Sequence, residues 1–152
     1  MLNPVLTGRY WRFAVALPAM LIRPMANSIT VSGSPATMTV NTAVAGQPPT
    51  AVTDASTTYT IIATGAAHGV TGKLTTALPA GVTLTVTFAA CGTGTSYGPI
   101  ILTTTAQNLV HGITTTGSGC TGAITYQLSA TAAAGSVTLQ SQTVHMADIA
   151  LP

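Results

Sequence analysis

From Val82 to Phe88 the chain alternates without a break: Val82, Leu84, Val86 and Phe88 are apolar, while Thr83, Thr85 and Thr87 are polar. Successive side chains of a β-strand point to opposite faces, so this spacing predicts a ribbon with one side buried and the other wetted. A helix would scatter the same residues around its circumference. The pattern recurs over 123–129, where Ile124, Tyr126 and Leu128 share a face. Further strand candidates lie at 28–32, 36–44, 57–64, 70–78, 98–105 and 136–145. Threonine fills most of the polar positions. It is β-branched, which favours extended backbone, and its hydroxyl is at home in water.

Turn chemistry separates these segments. Leu78-Pro79-Ala80-Gly81 carries Pro at the second position and Gly at the fourth, which predicts a type I turn. Ala132-Ala133-Ala134-Gly135 reads as a short hairpin connection between the last two strands. Gly46-Gln47-Pro48-Pro49 interrupts pairing and reads as an edge or crossover loop. In the last strand Val137 and Leu139 share one face while Val144 and Met146 share the other, which predicts a bulge near Ser141. Past the N-terminal residues no segment combines a helical period with caps.

Residues 1–26 follow different rules. Arg9 and Arg12 precede the apolar run 13–22, and small residues follow near Ala26. That order is the one found in secretory signal peptides, and the run is too short to cross a bilayer. Pro18, Arg23 and Pro24 depart from the ideal, so an amphipathic N-terminal helix and a mis-assigned start are the alternatives. Cys91 and Cys120 sit among Gly and Thr, in loop-like contexts, and an oxidising compartment would pair them. Their separation of 29 residues corresponds to about 3.6 kcal/mol in the loop-entropy treatment of a disulfide.

A length of 152 residues suits one domain. The expectation is therefore an all-β protein: a single antiparallel β-sandwich of the immunoglobulin-like class, of about eight strands, over 27–146. A helical leader at 1–26 precedes it and a tail at 147–152 follows. As a class the pattern resembles immunoglobulin-like domains of bacterial surface proteins, and its composition is similar to that of pilin subunits of chaperone–usher fibres. It carries no motif specific to either: Trp11 lies in the leader and no Trp stands between the cysteines.

Charge is almost absent. The acids are Asp54 and Asp148, and three of the four basic residues, Arg9, Arg12 and Arg23, lie in the leader, leaving Lys73. A nucleic-acid surface needs clustered Lys and Arg to displace counterions, so nucleic-acid binding is not expected, nor is electrostatic docking to an anionic membrane. With 47% apolar residues the chain can still form a core.

The inventory for catalysis is thin. Glycoside hydrolysis in its usual form needs two flanking carboxylates, and Asp54 and Asp148 are far apart in the chain. His68, His111 and His145 are scattered and read as surface or half-buried loop residues; neither a triad nor a zinc-ligand spacing joins them. Gly92-Thr93-Gly94 lacks the helix and lysine of a phosphate loop. Thr-x-Thr recurs at 37/39, 58/60, 83/85/87, 103/105 and 114/116, a content that resembles ice-binding solenoids, but the intervals follow no fixed period. Tyr97, in a Gly-, Ser- and Pro-containing loop, is the candidate contact residue. No cofactor or metal is expected. These features predict an exported, non-catalytic structural or interaction module of the cell surface, periplasm or extracellular space, with protein partners or self-association. The alternatives are a small-ligand or carbohydrate-binding module around Tyr97 and the 92–99 loop, then a histidine-dependent hydrolase and an ice-binding protein.

Overall fold

In the computed structural model the described residues are 27–41, 47–65, 67–114, 116–134 and 144–150. They form strands β1 (Ser28–Ser32), β2 (Val52–Ile62), β3 (His68–Leu74), β4 (Val82–Phe88), β5 (Thr95–Ser96), β6 (Ile100–Ile101), β7 (Gln107–Ile113), β8 (Cys120–Ala130) and β9 (Val144–Ala150), with one 3₁₀ turn at Ala132–Ala134. Two antiparallel sheets result, a five-stranded one in the order β1-β2-β8-β4-β6 and a four-stranded one in the order β5-β7-β3-β9. The fold is the all-β sandwich that the alternation predicts.

The inner faces follow from that alternation. Leu84, Val86 and Phe88 of β4, Tyr59 and Ile61 of β2, and Ile124 and Tyr126 of β8 are buried. Val70 and Leu74 of β3 and Leu109, Val110 and Ile113 of β7 complete the core from the other sheet. At its centre the rings of Tyr59 and Phe88 lie 4.9 Å apart at 43°, a tilted arrangement that suits the aromatic quadrupole. Tyr59 stands opposite Gly122 across β2 and β8. A Cβ on Gly122 would come 2.5 Å from Tyr59 Cε1 and 2.7 Å from the Ala89 carbonyl oxygen. The missing side chain is thus what lets the ring lie against the neighbouring strand. The Tyr59 hydroxyl donates a hydrogen bond of 2.6 Å to the Ala89 carbonyl, so the buried phenol is satisfied.

Cys91 and Cys120 form a disulfide, with Cα atoms 5.6 Å apart. Cys120 is the first residue of β8, and Cys91 lies on the segment that leaves β4 for β5. The bridge therefore fixes the point at which the chain passes from one sheet to the other. A bond of this kind fits an oxidising, non-cytoplasmic environment.

Several sequence expectations shift. The turn before β4 lies one residue later than expected: Val82 N donates to Pro79 O at 3.1 Å, and Gly81, now the third turn residue, has φ +79°. That positive φ is the mark of a type II turn, with Gly where it is needed. The segment 36–44 is not a strand where it is described; Val40 is buried and Met38 lies against the core, but no ladder forms. Gly33, at φ +85°, ends β1, and Ala36 N donates to the Asp54 carboxylate instead of to a neighbouring strand. Of 98–105 only Ile100 and Ile101 pair as a strand; Pro99 lacks an amide hydrogen, and Thr105 N turns back to Thr103 Oγ1.

β5 and β7 have no counterpart among the sequence candidates. In β7, Leu109 and Val110 are both buried because register shifts opposite β3 break the alternation. β8 and β9 are not joined as a hairpin: they lie in different sheets, and β9 pairs with β3 from His68↔Ala150 to Leu74↔Val144. Residues 147–150, read as tail, continue that strand. The leader 1–26 and the bulge near Ser141 lie outside the described residues.

Gly122→Ala is expected to lower stability by about 1–3 kcal/mol, because the new methyl must displace the Tyr59 ring or the Ala89 backbone. Replacing both cysteines by serine is expected to cost about 3.6 kcal/mol. Urea unfolding followed by tyrosine fluorescence measures both; an unchanged midpoint for Gly122→Ala would remove the close packing of Tyr59 from this account.

Candidate functional site

After the disulfide the chain runs along one lateral side of the sandwich. β5 is the edge of the four-stranded sheet and β6 the edge of the five-stranded sheet, so the segment from Thr95 to Ile101 spans from one to the other. One hydrogen bond ties it to β7, from Tyr97 N to Leu109 O at 3.0 Å, and one is local, from Gly98 N to Ser96 Oγ at 3.0 Å. Tyr97 is 48% exposed and Ile101 59% exposed. These two and Val31, 42% exposed on β1, are the large apolar side chains most open to water among the described residues.

Tyr97 does not stand alone. Its ring lies 4.6 Å from that of His111 at 49°, and His111 stands opposite Thr95 across β5 and β7. The result is a small surface with an exposed phenol ring, a half-buried imidazole and an exposed hydroxyl. His111 Nδ1 is buried without a hydrogen-bond partner, as is Thr57 Oγ1. Position 97 was legible as a loop tyrosine. Its pairing with His111 was not, because it depends on the register of two strands that the sequence pattern does not reveal.

The histidines are strand residues rather than the loop residues expected. His68 opens β3 and is buried, with Nε2 3.4 Å from Asn27 Nδ2 and 3.3 Å from the Thr64 carbonyl oxygen. His145 falls within β9, opposite Lys73. All three therefore belong to the four-stranded sheet. Among the described residues, no three His, Cys, Asp or Glu side chains come together as metal ligands would.

The Thr-x-Thr pairs separate into different roles. Thr58 and Thr60 of β2 and Thr83, Thr85 and Thr87 of β4 lie on the outer face of the five-stranded sheet. There Thr30, Thr60 and Thr121 form one row across β1, β2 and β8. Thr60 and Thr121 share a hydroxyl–hydroxyl bond of 2.8 Å. Thr103 and Thr105 close a turn. Thr116 is structural: its hydroxyl accepts from Ala63 N at 2.9 Å and donates to Ile61 O at 3.2 Å.

No family model, curated protein or solved structure matches the chain.

Among the described residues, three groups titrate away from their ordinary values. Asp54 accepts from Ser56 Oγ at 2.7 Å, from Ser56 N at 3.1 Å and from Ala36 N at 3.2 Å. The Ser56 hydroxyl and then its amide hold the carboxyl below the usual carboxylate range. Burial pushes the Tyr59 phenol up to about 12. Tyr126 is also raised, first by burial and then by the Asp54 charge. The signs set the pH window. A depressed carboxylate stabilises the fold above its unfolded pKa, and that contribution is lost as pH falls through the folded value. A raised phenol stabilises the fold fully below its unfolded value near 10, and the contribution is lost as pH rises toward about 12. Stability is therefore expected to be level through neutral pH and to fall steeply above about pH 10. Tyrosinate absorbance and circular dichroism, followed together, should show Tyr59 ionising only as the fold is lost; its ionisation near 10 in an intact fold would contradict the burial.

Proposed function

We propose that this protein is an exported, non-catalytic interaction module that associates with protein partners, its own copies included, through the edges of its sandwich. The observation that carries this reading is the character of the five-stranded sheet's two edges. β1, Ser-Ile-Thr-Val-Ser, contains no charged residue or proline and presents Val31 to water, and β6, a two-residue Ile-Ile strand just after Pro99, is uncharged and presents Ile101. Edge strands that remain solitary are commonly guarded by Lys, Pro or inward charge, because their free backbone groups otherwise recruit another strand. The leader-like residues 1–26 and the disulfide support a place outside the cytoplasm.

The Tyr97–His111 pair favours a second reading, a carbohydrate-binding module. An exposed phenol ring offers the apolar face on which a sugar ring stacks, and Thr95 beside it offers a hydroxyl for the sugar's own.

Sedimentation velocity across a wide concentration range tests the first reading. The weight-average mass is expected to rise with concentration, and a strictly monomeric profile up to the solubility limit would overturn it. Glycan-array binding tests the second: binding that disappears in Tyr97→Ala and survives in Tyr97→Phe is expected, and an array without binders would remove it.

A further inference from the structure

Among the described residues β1 is the edge strand of the five-stranded sheet, hydrogen-bonded to β2 on one side only. Its sequence, Ser28-Ile29-Thr30-Val31-Ser32, is chemically symmetric about Thr30. The strand also divides cleanly by face. Ile29 and Val31 stand opposite Ile61 and Tyr59 of β2, both core residues, so they belong to the inner face. Ser28, Thr30 and Ser32 belong to the outer, hydroxyl-bearing face. Ile29 is partly covered by the core, whereas Val31 remains 42% exposed.

We infer that β1 pairs antiparallel with β1 of a second copy of this chain, about a two-fold axis at Thr30. This assignment rests on the association reading above and names its partner and its edge. In that register Ser28 meets Ser32 of the second copy, Thr30 meets Thr30, and Ile29 meets Val31. Hydroxyl faces hydroxyl on the outer side and aliphatic faces aliphatic on the inner side. The self-complementary patch that a two-fold interface requires is thus present in one short strand.

Neighbouring registers do worse. A shift by one residue sets inner-face positions against outer-face ones, turning aliphatic side chains toward the wet side. A shift by two keeps the faces but shortens the strand overlap and brings Gly33 or Asn27 into the pairing.

Charge is compatible with this partner. Neither β1 nor the β2 segment paired with it, Thr58–Ile62, carries a formal charge, so the two copies meet without repulsion. Five residues of edge span about 17 Å, and a contact of that length is small beside the roughly 1,200 Å² that stable complexes bury. The dimer is accordingly a concentration-dependent one. It extends the sheet continuously through both copies and covers Val31 against Ile29 of the partner.

Charge placed at the axis tests the assignment on the full chain. Thr30 is exposed, so Thr30→Lys and Thr30→Glu are expected to fold as the native chain does by circular dichroism. Each alone sets like charges directly opposite each other and is expected to lose the concentration-dependent mass increase. An equimolar mixture of the two is expected to regain it. Cysteine scanning gives the register: with both native cysteines bonded to each other, Thr30→Cys should form a covalent dimer on mild oxidation, while Ser28→Cys should cross-link at least tenfold less. Association unchanged in Thr30→Lys, or cross-linking of Ser28→Cys equal to that of Thr30→Cys, would overturn the β1 assignment and leave edge association intact. A native chain that never associates would overturn both.

Discussion

The ring of Tyr59 occupies the space that a side chain at position 122 would fill, and three strands are tied together by that substitution of one residue's bulk for another's. Tyr59 belongs to β2, Gly122 to β8, and the Ala89 carbonyl that accepts its hydroxyl follows directly on β4. Phe88 closes the cluster from β4. Just beyond it the disulfide joins Cys91 to Cys120. The chain needs this concentration of restraint because it passes here from the five-stranded sheet to the four-stranded one. A buried phenol is a demanding component: without the Ala89 carbonyl its hydroxyl would be dehydrated and unpaired, a state that costs about 1–3 kcal/mol. The same burial that raises its pKa makes the neutral phenol part of the folded state.

Near-absence of charge shapes the rest. Many domains keep edges and faces apart with Lys and Glu; this chain has hydroxyls and amides instead. Along the outer face of the five-stranded sheet, hydroxyls bond to one another, as Thr60 and Thr121 do, or lie opposite polar partners, as Thr85 does to Gln127 and Thr87 to Thr125. Such a face is wetted without being repulsive. Hydroxyls keep water at the surface, but they do not discourage a second neutral surface from approaching.

The alternation made β4 and the central part of β8 legible, because both strands turn one face to the core and the period of two is unbroken. It also located β1 to the residue. Legibility failed where tertiary contacts override the period. Residues 36–41 alternate yet make no ladder, since Ala36 and Ser34 spend their hydrogen bonds on Asp54 and Ser56. β7 pairs without alternating, because extra residues opposite β3 bring Leu109 and Val110 both to the core. At the candidate site Tyr97 could be found as a tyrosine in a turn-rich loop, but its histidine neighbour could not: Tyr97 and His111 meet only through the pairing of Thr95 with His111. The disulfide was legible from cysteine number and context, while the fact that it pins a crossover required the topology.

Topology also separates the two surfaces proposed above to take a partner. β1 ends the five-stranded sheet on one lateral side, where β9 of the other sheet is its neighbour. β6 ends it on the opposite side, where β5 ends the four-stranded sheet and the segment carrying Tyr97 and Ile101 crosses between them. A copy bound along β1 therefore leaves that segment uncovered. The two sides also differ in kind. β1 is regular backbone whose outward row of amides and carbonyls meets no other strand among the described residues, an arrangement suited to strand pairing. The 95–101 side is interrupted by Gly98 and Pro99, and its two-residue strands leave little ladder to extend; what it presents is side chains, an aromatic pair and an isoleucine. Backbone recognition on one side and side-chain recognition on the other place no steric demand on each other, so self-association through β1 and ligand binding at Tyr97 are compatible in a single molecule.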